Sequence, residues 1–144
     1  MKGPVVSPKR IIADRHLDEL MCQRIFALSE EIRSVAVSRN GKLHSVSRPD
    51  PGSPLTWDSD KYGEIIVNPT LITLLRQRGS IDCGGIRHVI VRYGNFIQCV
   101  LPLKEGHISV AFEPRSSYPR LLPRITRMLT NANLYADNPQ GGKP

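Results

Sequence analysis

Apolar and polar positions alternate most regularly in HVIVRYGNFIQCVLPLKEGHISVAFEP, residues 88–114. Gly94-Asn95 and the segment 104–106 divide this stretch into three apolar runs. Such runs predict three consecutive strands, at about 86–93, 96–103 and 107–113. We expect a two-residue primed turn at Gly94-Asn95. Because the middle strand is apolar on both sides, it should be covered on both faces of a sheet.

A second hairpin is predicted earlier in the chain, where Asn40-Gly41 lies between two alternating runs. This dipeptide is the strongest short hairpin signal, and it places strands at about 33–38 and 43–48. Residues 49–60, PDPGSPLTWDSD, contain three prolines and are interpreted as a loop. Trp57 in this loop is interpreted as a local anchor onto the core.

Three helices are expected around these strands. The first should begin near Asp14, a good N-cap residue, and its apolar stripe recurs at helical spacing: Leu17, Met21, Ile25, Leu28 and Ile32. The last should cover about 117–130, with Ser116 or Ser117 as cap and an awkward interior Pro123. Its predicted buried stripe consists of Leu121, Leu122, Ile125, Met128 and Leu129.

The middle helix is predicted over about 69–78. Asn68 can cap it, Pro69 suits the first helical position, and Gly79 is a stop signal. The connector SIDCGG, residues 80–85, follows. Gly84-Gly85 in that connector permits positive φ. The element order is therefore α-β-β-α-β-β-β-α, an α+β fold with one antiparallel sheet.

Composition is that of a soluble globular chain, with 144 residues, 40% hydrophobic and 23% charged. That length fits one domain. Apolar runs long enough to span a membrane are lacking, and the basic N-terminus has no apolar core typical of a secretory signal. The three cysteines are an odd number at no tight spacing, which favours a reducing, cytoplasmic compartment.

The net charge of +7 is concentrated in two places. Residues 1–13 carry Lys2, Lys9 and Arg10 and are interpreted as a flexible basic arm. The last helix carries Arg120, Arg124 and Arg127, which share one face and form a candidate basic partner surface. Residues 131–144 are interpreted as a disordered tail.

Evidence for catalysis is weak in this sequence. Cys83 precedes Gly84-Gly85, where backbone amides could stabilise charge, but nothing in the spacing supplies His88 or His107 as its base. Metal-ligand spacings and a phosphate-binding loop are absent from the sequence. We therefore expect no catalytic residues, no metal and no cofactor.

The hairpin SVAVSRNGKLHSVS, the segment GGIRHVIVRYGN and the strand GHISVAFEP, in this element order, resemble the roadblock/dynein light chain family. The resemblance covers residues 14–130. It implies a five-stranded antiparallel sheet with the middle helix on one face and the terminal helices on the other. Profilin-like, longin and PAS-type folds share parts of this pattern.

The resemblance implies a homodimer formed through the middle helix and the third strand. The implied interface residues are Leu71, Leu74, Leu75, Arg78, Arg87, Val89 and Val91. The resemblance also implies a role as an adaptor or regulator, with a small Ras-like GTPase as its partner. The sequence departs from the family in its basic arm and in a middle helix that looks short.

Two alternatives remain open at this point. The arginines of the last helix could grip phosphates, with Arg92, Tyr93 and Phe96 adding a stacking contact, as in a nucleic-acid-associated basic protein. A small-molecule sensor or enzyme of profilin-like or PAS-like fold is the second alternative. We favour the non-enzymatic interaction module.

Overall fold

The computed structural model describes residues 8–48 and 63–136. The described elements follow the predicted order: α1 (Pro8–Phe26), β1 (Ile32–Arg39), β2 (Lys42–Ser47), α2 (Asn68–Asp82), β3 (Val89–Arg92), β4 (Ile97–Leu103), β5 (Gly106–Phe112) and α3 (Tyr118–Asn131). A π-helical turn, Gly63–Val67, runs directly into α2. The α+β fold class is confirmed. No helix in the described ranges has the length and hydropathy needed to cross a membrane.

The five strands form one antiparallel sheet in the order β2-β1-β5-β4-β3. The meander β3-β4-β5 is paired sequentially, as the sequence predicts. Its last strand, β5, reaches the centre of the sheet by pairing with β1 as well. The two edges of the sheet are therefore β2 and β3.

One face of the sheet carries the main hydrophobic core, together with α1 and α3. From β5, this face presents Ile108, Val110 and Phe112, all fully buried. The terminal helices contribute the following buried residues to the same cluster: Met21, Cys22, Ile25, Leu121, Leu122, Ile125 and Leu129. Met128 packs against the cluster but is only partly buried.

The opposite face is built of smaller and more polar side chains. Because side chains alternate along a strand, His107, Ser109 and Ala111 of β5 point to this side, and all three are buried. Ala36 lies beside Ser109 in the pairing of β1 with β5. Small residues on this face leave room for the middle helical segment to pack against it.

Glu64 of the π-helical turn anchors the middle helical segment to this face. Its side chain is buried, with Oε2 2.9 Å from Nε2 of His107. The hydroxyl of Ser109 donates a hydrogen bond to the other carboxylate oxygen. The contact joins residues more than 40 positions apart, since the sequence separation is 43 for His107 and 45 for Ser109.

The first helix begins earlier than predicted. Asp14 is not its N-cap, because α1 starts at Pro8, and the part of the predicted arm from residue 8 to residue 13 is helical. Proline has a suitable φ for the first helical position and no amide hydrogen to leave unpaired there. The predicted stripe ends sooner, since Leu28 lies after α1 and Ile32 begins β1.

The middle helix is longer than predicted. Gly79 does not stop it, and α2 continues to Asp82. Gly84 and Gly85 follow with φ of +74° and +87°, so the glycine pair sets the end. Asn68 does not act as a side-chain cap, because the preceding π-helical turn already continues the helical backbone. The expectation that the middle helix is shorter than in the family is therefore wrong.

The two hairpin turns differ in how well the sequence predicts them. Asn40 and Gly41 have φ of +54° and +76°, as a primed turn requires. At Gly94-Asn95 neither residue has positive φ, so the predicted primed turn is wrong. There, Tyr93 stacks on Phe96 with ring centroids 4.9 Å apart, and the strands end at Arg92 and Ile97.

The described residues after α3, up to Ala136, are bonded to the sheet, so the predicted start of a disordered tail at residue 131 is wrong. Tyr135 forms a bridge with Leu103 of β4, and the amide of Ala136 donates to the carbonyl of Pro102. The Tyr135 hydroxyl donates to the carbonyl of Arg87 at 2.6 Å. This segment takes the edge of β4 that residues 86–88 would occupy, which explains why β3 begins only at Val89.

Several sequence predictions fall outside the described residues. These are the N-terminal part of the basic arm (1–7), the whole of the loop with Trp57 (49–60) and the end of the tail (137–144). Ser117 is the N-cap residue of α3, but its hydroxyl donates to Glu31 at 2.6 Å and makes no cap bond. Pro123 lies inside α3, which continues to Asn131.

Replacement of Gly106 by alanine should strongly destabilise the sheet. A Cβ at this position would collide with the carbonyl oxygen of Ser38 and lie 2.9 Å from the Cα of Arg39. Because both are backbone atoms of β1, the central pairing would have to shift, at a cost of about 3 kcal/mol or more in unfolding free energy. Urea denaturation measures the loss.

The matched control is Gly94→Ala, because a Cβ there meets nothing within 4 Å and φ is negative. It should change the unfolding free energy by less than about 0.5 kcal/mol. Equal effects of the two substitutions would contradict the close approach of β5 to β1.

Replacement of Glu64 by alanine should loosen the middle helical segment. The change leaves the buried polar atoms of His107 and Ser109 without their partner, which costs about 2–4 kcal/mol. We expect amide exchange in residues 63–82 to accelerate more than exchange in β4 and β5. Glu30→Ala, at an exposed site, is the control. Unchanged exchange in residues 63–82 would show that this carboxylate is not the anchor.

Candidate functional site

The predicted dimer residues lie along α2 and beside the edge strand β3. Val89 and Val91 are half-buried, and their register with Val100 and Gln98 places them on the sheet face that carries α2. On α2, Leu74 is 59% and Leu75 is 36% exposed, whereas Leu71 is half-buried. Arg78 and Arg87 are exposed. The predicted interface residues of α2 and the predicted interface residues Val89 and Val91 of β3 therefore lie on the same face of the sheet.

The exposed apolar surface extends beyond the residues that the sequence identifies. Ile65, Ile66 and Val67 in the π-helical turn are 38–48% exposed, and Ile81 near the end of α2 is 72% exposed. Together with Leu74 and Leu75 they form what we call the α2 apolar surface. The run EIIV could have indicated it, but only if the segment were known to be helical and on the surface.

An exposed apolar surface of this kind usually marks an interaction site in a soluble protein. The sheet ends at β3, whose outer edge pairs with no other strand among the described residues, so its amides and carbonyls can pair with another strand. Strand β3 has only four residues, of which Val89 and Val91 point to the α2 face. Apolar contact and backbone pairing are therefore available from the same face and edge of the sheet.

The predicted basic surface lies on α3. Arg120, Arg124 and Arg127 are all exposed and follow each other at intervals of four and three residues, which places them on one helix face. Within the described residues none of the three forms an ion pair. Their charges are therefore directed to solvent or to a partner.

The aromatic pair proposed as a nucleic-acid stacking contact is already engaged inside the protein. Tyr93 stacks on Phe96, and the guanidinium of Arg33 lies 5.7 Å from the centroid of the Phe96 ring. Arg33 is itself held by Glu113 in a two-point contact at 3.2 Å. Only Tyr93, 40% exposed, presents much aromatic surface.

The cysteines differ in environment. Cys22 and Cys99 are buried, as expected of small core residues, and burial raises the pKa of each thiol to about 12. Both therefore stay protonated and unreactive near neutral pH. Cys83, by contrast, is exposed.

Neither histidine that was considered as a base for Cys83 is shown to contact it. His107 is buried and held by Glu64, and His88 is exposed next to β3. The cluster of Glu64, His107 and Ser109 also lacks the arrangement of a nucleophile, because the serine hydroxyl donates to the carboxylate and not to the imidazole. Among the described residues no group of three or more metal-ligating side chains converges.

The sequence comparisons give no match, either to a family model or to a curated protein. The solved structures do give matches. A roadblock/LC7 domain from Streptomyces avermitilis superposes with a TM-score of 0.58 at 15% identity, covering 79% of this chain and 95% of that one.

Two proteins of Myxococcus xanthus have the same fold. MglB matches with a TM-score of 0.52 at 14% identity, covering 81% of this chain and 94% of that one. MglC matches with a TM-score of 0.50 at 8% identity, covering 78% and 96%. At such low identity the likeness concerns the fold, and it agrees with the resemblance in the sequence: the chain has the roadblock/LC7 fold.

Proposed function

We propose that this chain is a non-enzymatic, homodimeric interaction module that acts as a regulator or partner of a small Ras-like GTPase. The observation that carries the proposal is the α2 apolar surface on a sheet that ends at β3, a strand with only one neighbour among the described residues. The roadblock/LC7 fold and the resemblance in the sequence support it. The three free cysteines support a reducing location such as the cytoplasm.

Dimerisation would bury the α2 apolar surface and the outer edge of β3 in a single contact. Two copies related by a twofold axis can pair their β3 strands antiparallel and join two five-stranded sheets into one. The same rotation brings the two α2 helices together on one face, so that Leu74 and Leu75 leave water. Burial of apolar area contributes about 25 cal/mol per Å², and the short strand adds backbone hydrogen bonds.

The proposed action on a GTPase is selective binding. A rigid surface that contacts one nucleotide state better than the other shifts the population toward that state, in proportion to the difference in affinity. The basic face of α3 suits an acidic partner, because complementary charge raises association rates and excludes basic proteins. This action needs no catalytic side chain in the module itself.

Val89→Asp should convert the dimer into a monomer. The new carboxylate would be placed at the paired edge, where it loses hydration and disrupts strand association. Light scattering coupled to size exclusion should show the mass falling from twice the chain mass to one chain mass. Circular dichroism should confirm that the fold is kept.

Ser45→Asp is the matched control, since Ser45 is exposed on β2 at the other edge of the sheet. It should leave the dimer intact. A wild-type protein that is monomeric at tens of micromolar would reject the dimer, and splitting by both substitutions would place the contact elsewhere.

The GTPase proposal predicts nucleotide-dependent binding. Purified Ras-like GTPases from the same genome, loaded with GDP or a non-hydrolysable GTP analogue, are titrated with the wild-type chain in a calorimeter. We expect at least one to bind in one nucleotide state at least tenfold more tightly than in the other. Arg124→Glu should weaken that binding, while Arg24→Glu on α1 should not. No nucleotide-dependent binding would reject the GTPase as partner.

Association with nucleic acid is the second candidate function, because the arginines of α3 could contact phosphates. Such binding would depend steeply on salt. Its absence in gel shifts at about 50 mM salt removes this candidate.

A further inference from the structure

A groove runs along α3 on the sheet face opposite to the α2 apolar surface. It has a volume of about 670 Å³ and lies between α3 and the start of the edge strand β3. Ile90, 39% exposed, contributes from the strand. On the helix the lining positions recur every four residues, at Tyr118, Leu122, Thr126 and Thr130. The groove therefore follows nearly the whole helix, about 20 Å at 1.5 Å per residue.

The groove exists because the two terminal helices do not cover the whole of this sheet face. Since α1 lies on β1 and β2 and α3 packs beside it on the core, β3 at the far edge is left with Ile90 uncovered. The space beside α3 has the length of a helix of about four turns.

The two walls of this groove carry charge of one sign, and the nearest described carboxylate is Glu31, which is bonded to Ser117 at one end of the groove. Residues 84–103 and 114–136, which include both walls, contain no aspartate or glutamate. They contain six arginines: Arg87, Arg92, Arg115, Arg120, Arg124 and Arg127. Arg127 lines the groove itself, and exposed His88 lies at its other wall. A low-dielectric wall with cations along its rim concentrates positive potential in the groove.

We propose that this groove binds an acidic amphipathic helix of a partner protein, with apolar side chains on Ile90 and Leu122 and carboxylates toward Arg127 and Arg124. Helix-in-groove recognition uses an apolar stripe at positions i, i+3, i+4 and i+7, which a groove of four helical turns can accept. The inference rests on the proposed role as a protein-binding module. It does not need the GTPase or the dimer, because the proposed dimer contact lies on the α2 face.

The experiment uses a display library of random 16-residue peptides, selected against the full chain. We expect the selected peptides to be acidic and to carry apolar residues at helical spacing. In fluorescence anisotropy, Arg127→Glu should weaken their binding at least tenfold, and Ile90→Thr at least threefold. Raising the salt concentration should weaken binding as well, because the rim charges are exposed.

Matched controls lie away from the groove. Arg76→Glu and Leu20→Thr change an exposed arginine of α2 and an exposed leucine of α1, and both should leave peptide binding within twofold of wild type. Failure to select any peptide, selection of basic peptides, or binding that survives both groove substitutions would overturn the proposal.

The same variants are examined by light scattering. If Arg127→Glu or Ile90→Thr abolished self-association, the groove would be the site of a second copy and not of a partner helix, which also overturns the proposal. An intact dimer without peptide binding rejects the groove alone. Peptide binding by a monomeric chain rejects the proposed dimer alone.

Discussion

The structure depends on the difference between the two faces of β5. On one side this central strand presents Ile108, Val110 and Phe112, which are fully buried beneath the terminal helices. On the other side it presents small and polar residues, among them Ser109. On the core face, large apolar side chains hold α1 and α3 through their contact area. On the opposite face, the side chains are small, so α2 must be held by specific polar contacts. The two layers are therefore stabilised by different physical means.

This asymmetry explains why the middle helical segment has so much apolar surface facing outward. Glu64 attaches the segment through hydrogen bonds, and Ile72 is its buried apolar contact among the described residues. A helix held by few inward residues is free to direct the rest, such as Leu74 and Ile81, toward solvent. The sheet ends at β3, so the molecule presents both the apolar side chains of α2 and the backbone polar groups of an edge strand.

The sequence predicts those features that depend on neighbours along the chain. Asn40-Gly41 specifies its own turn, and alternation specifies the strand faces, so the element order and the apolar face of α3 could be predicted. Features that depend on distant contacts could not be predicted. Tyr135, which bonds to Arg87 from 48 positions away, shortens β3, and no local signal links it to Leu103. Gly79 stays helical because the glycine pair, and not the single glycine, ends α2.

The candidate site was predicted only in part for the same reason. Leu74 and Val89 follow from a resemblance that fixes their places in the fold, whereas Ile65 and Ile81 required knowledge of which residues stay helical and exposed.

The bridge at Tyr135 has a practical consequence for protein engineering. Since the backbone of Ala136 is tied to Pro102, a domain fused after this point emerges next to the free border of the sheet. A bulky C-terminal fusion would thus shield that border, while a short tethered ligand would be held there at high local concentration.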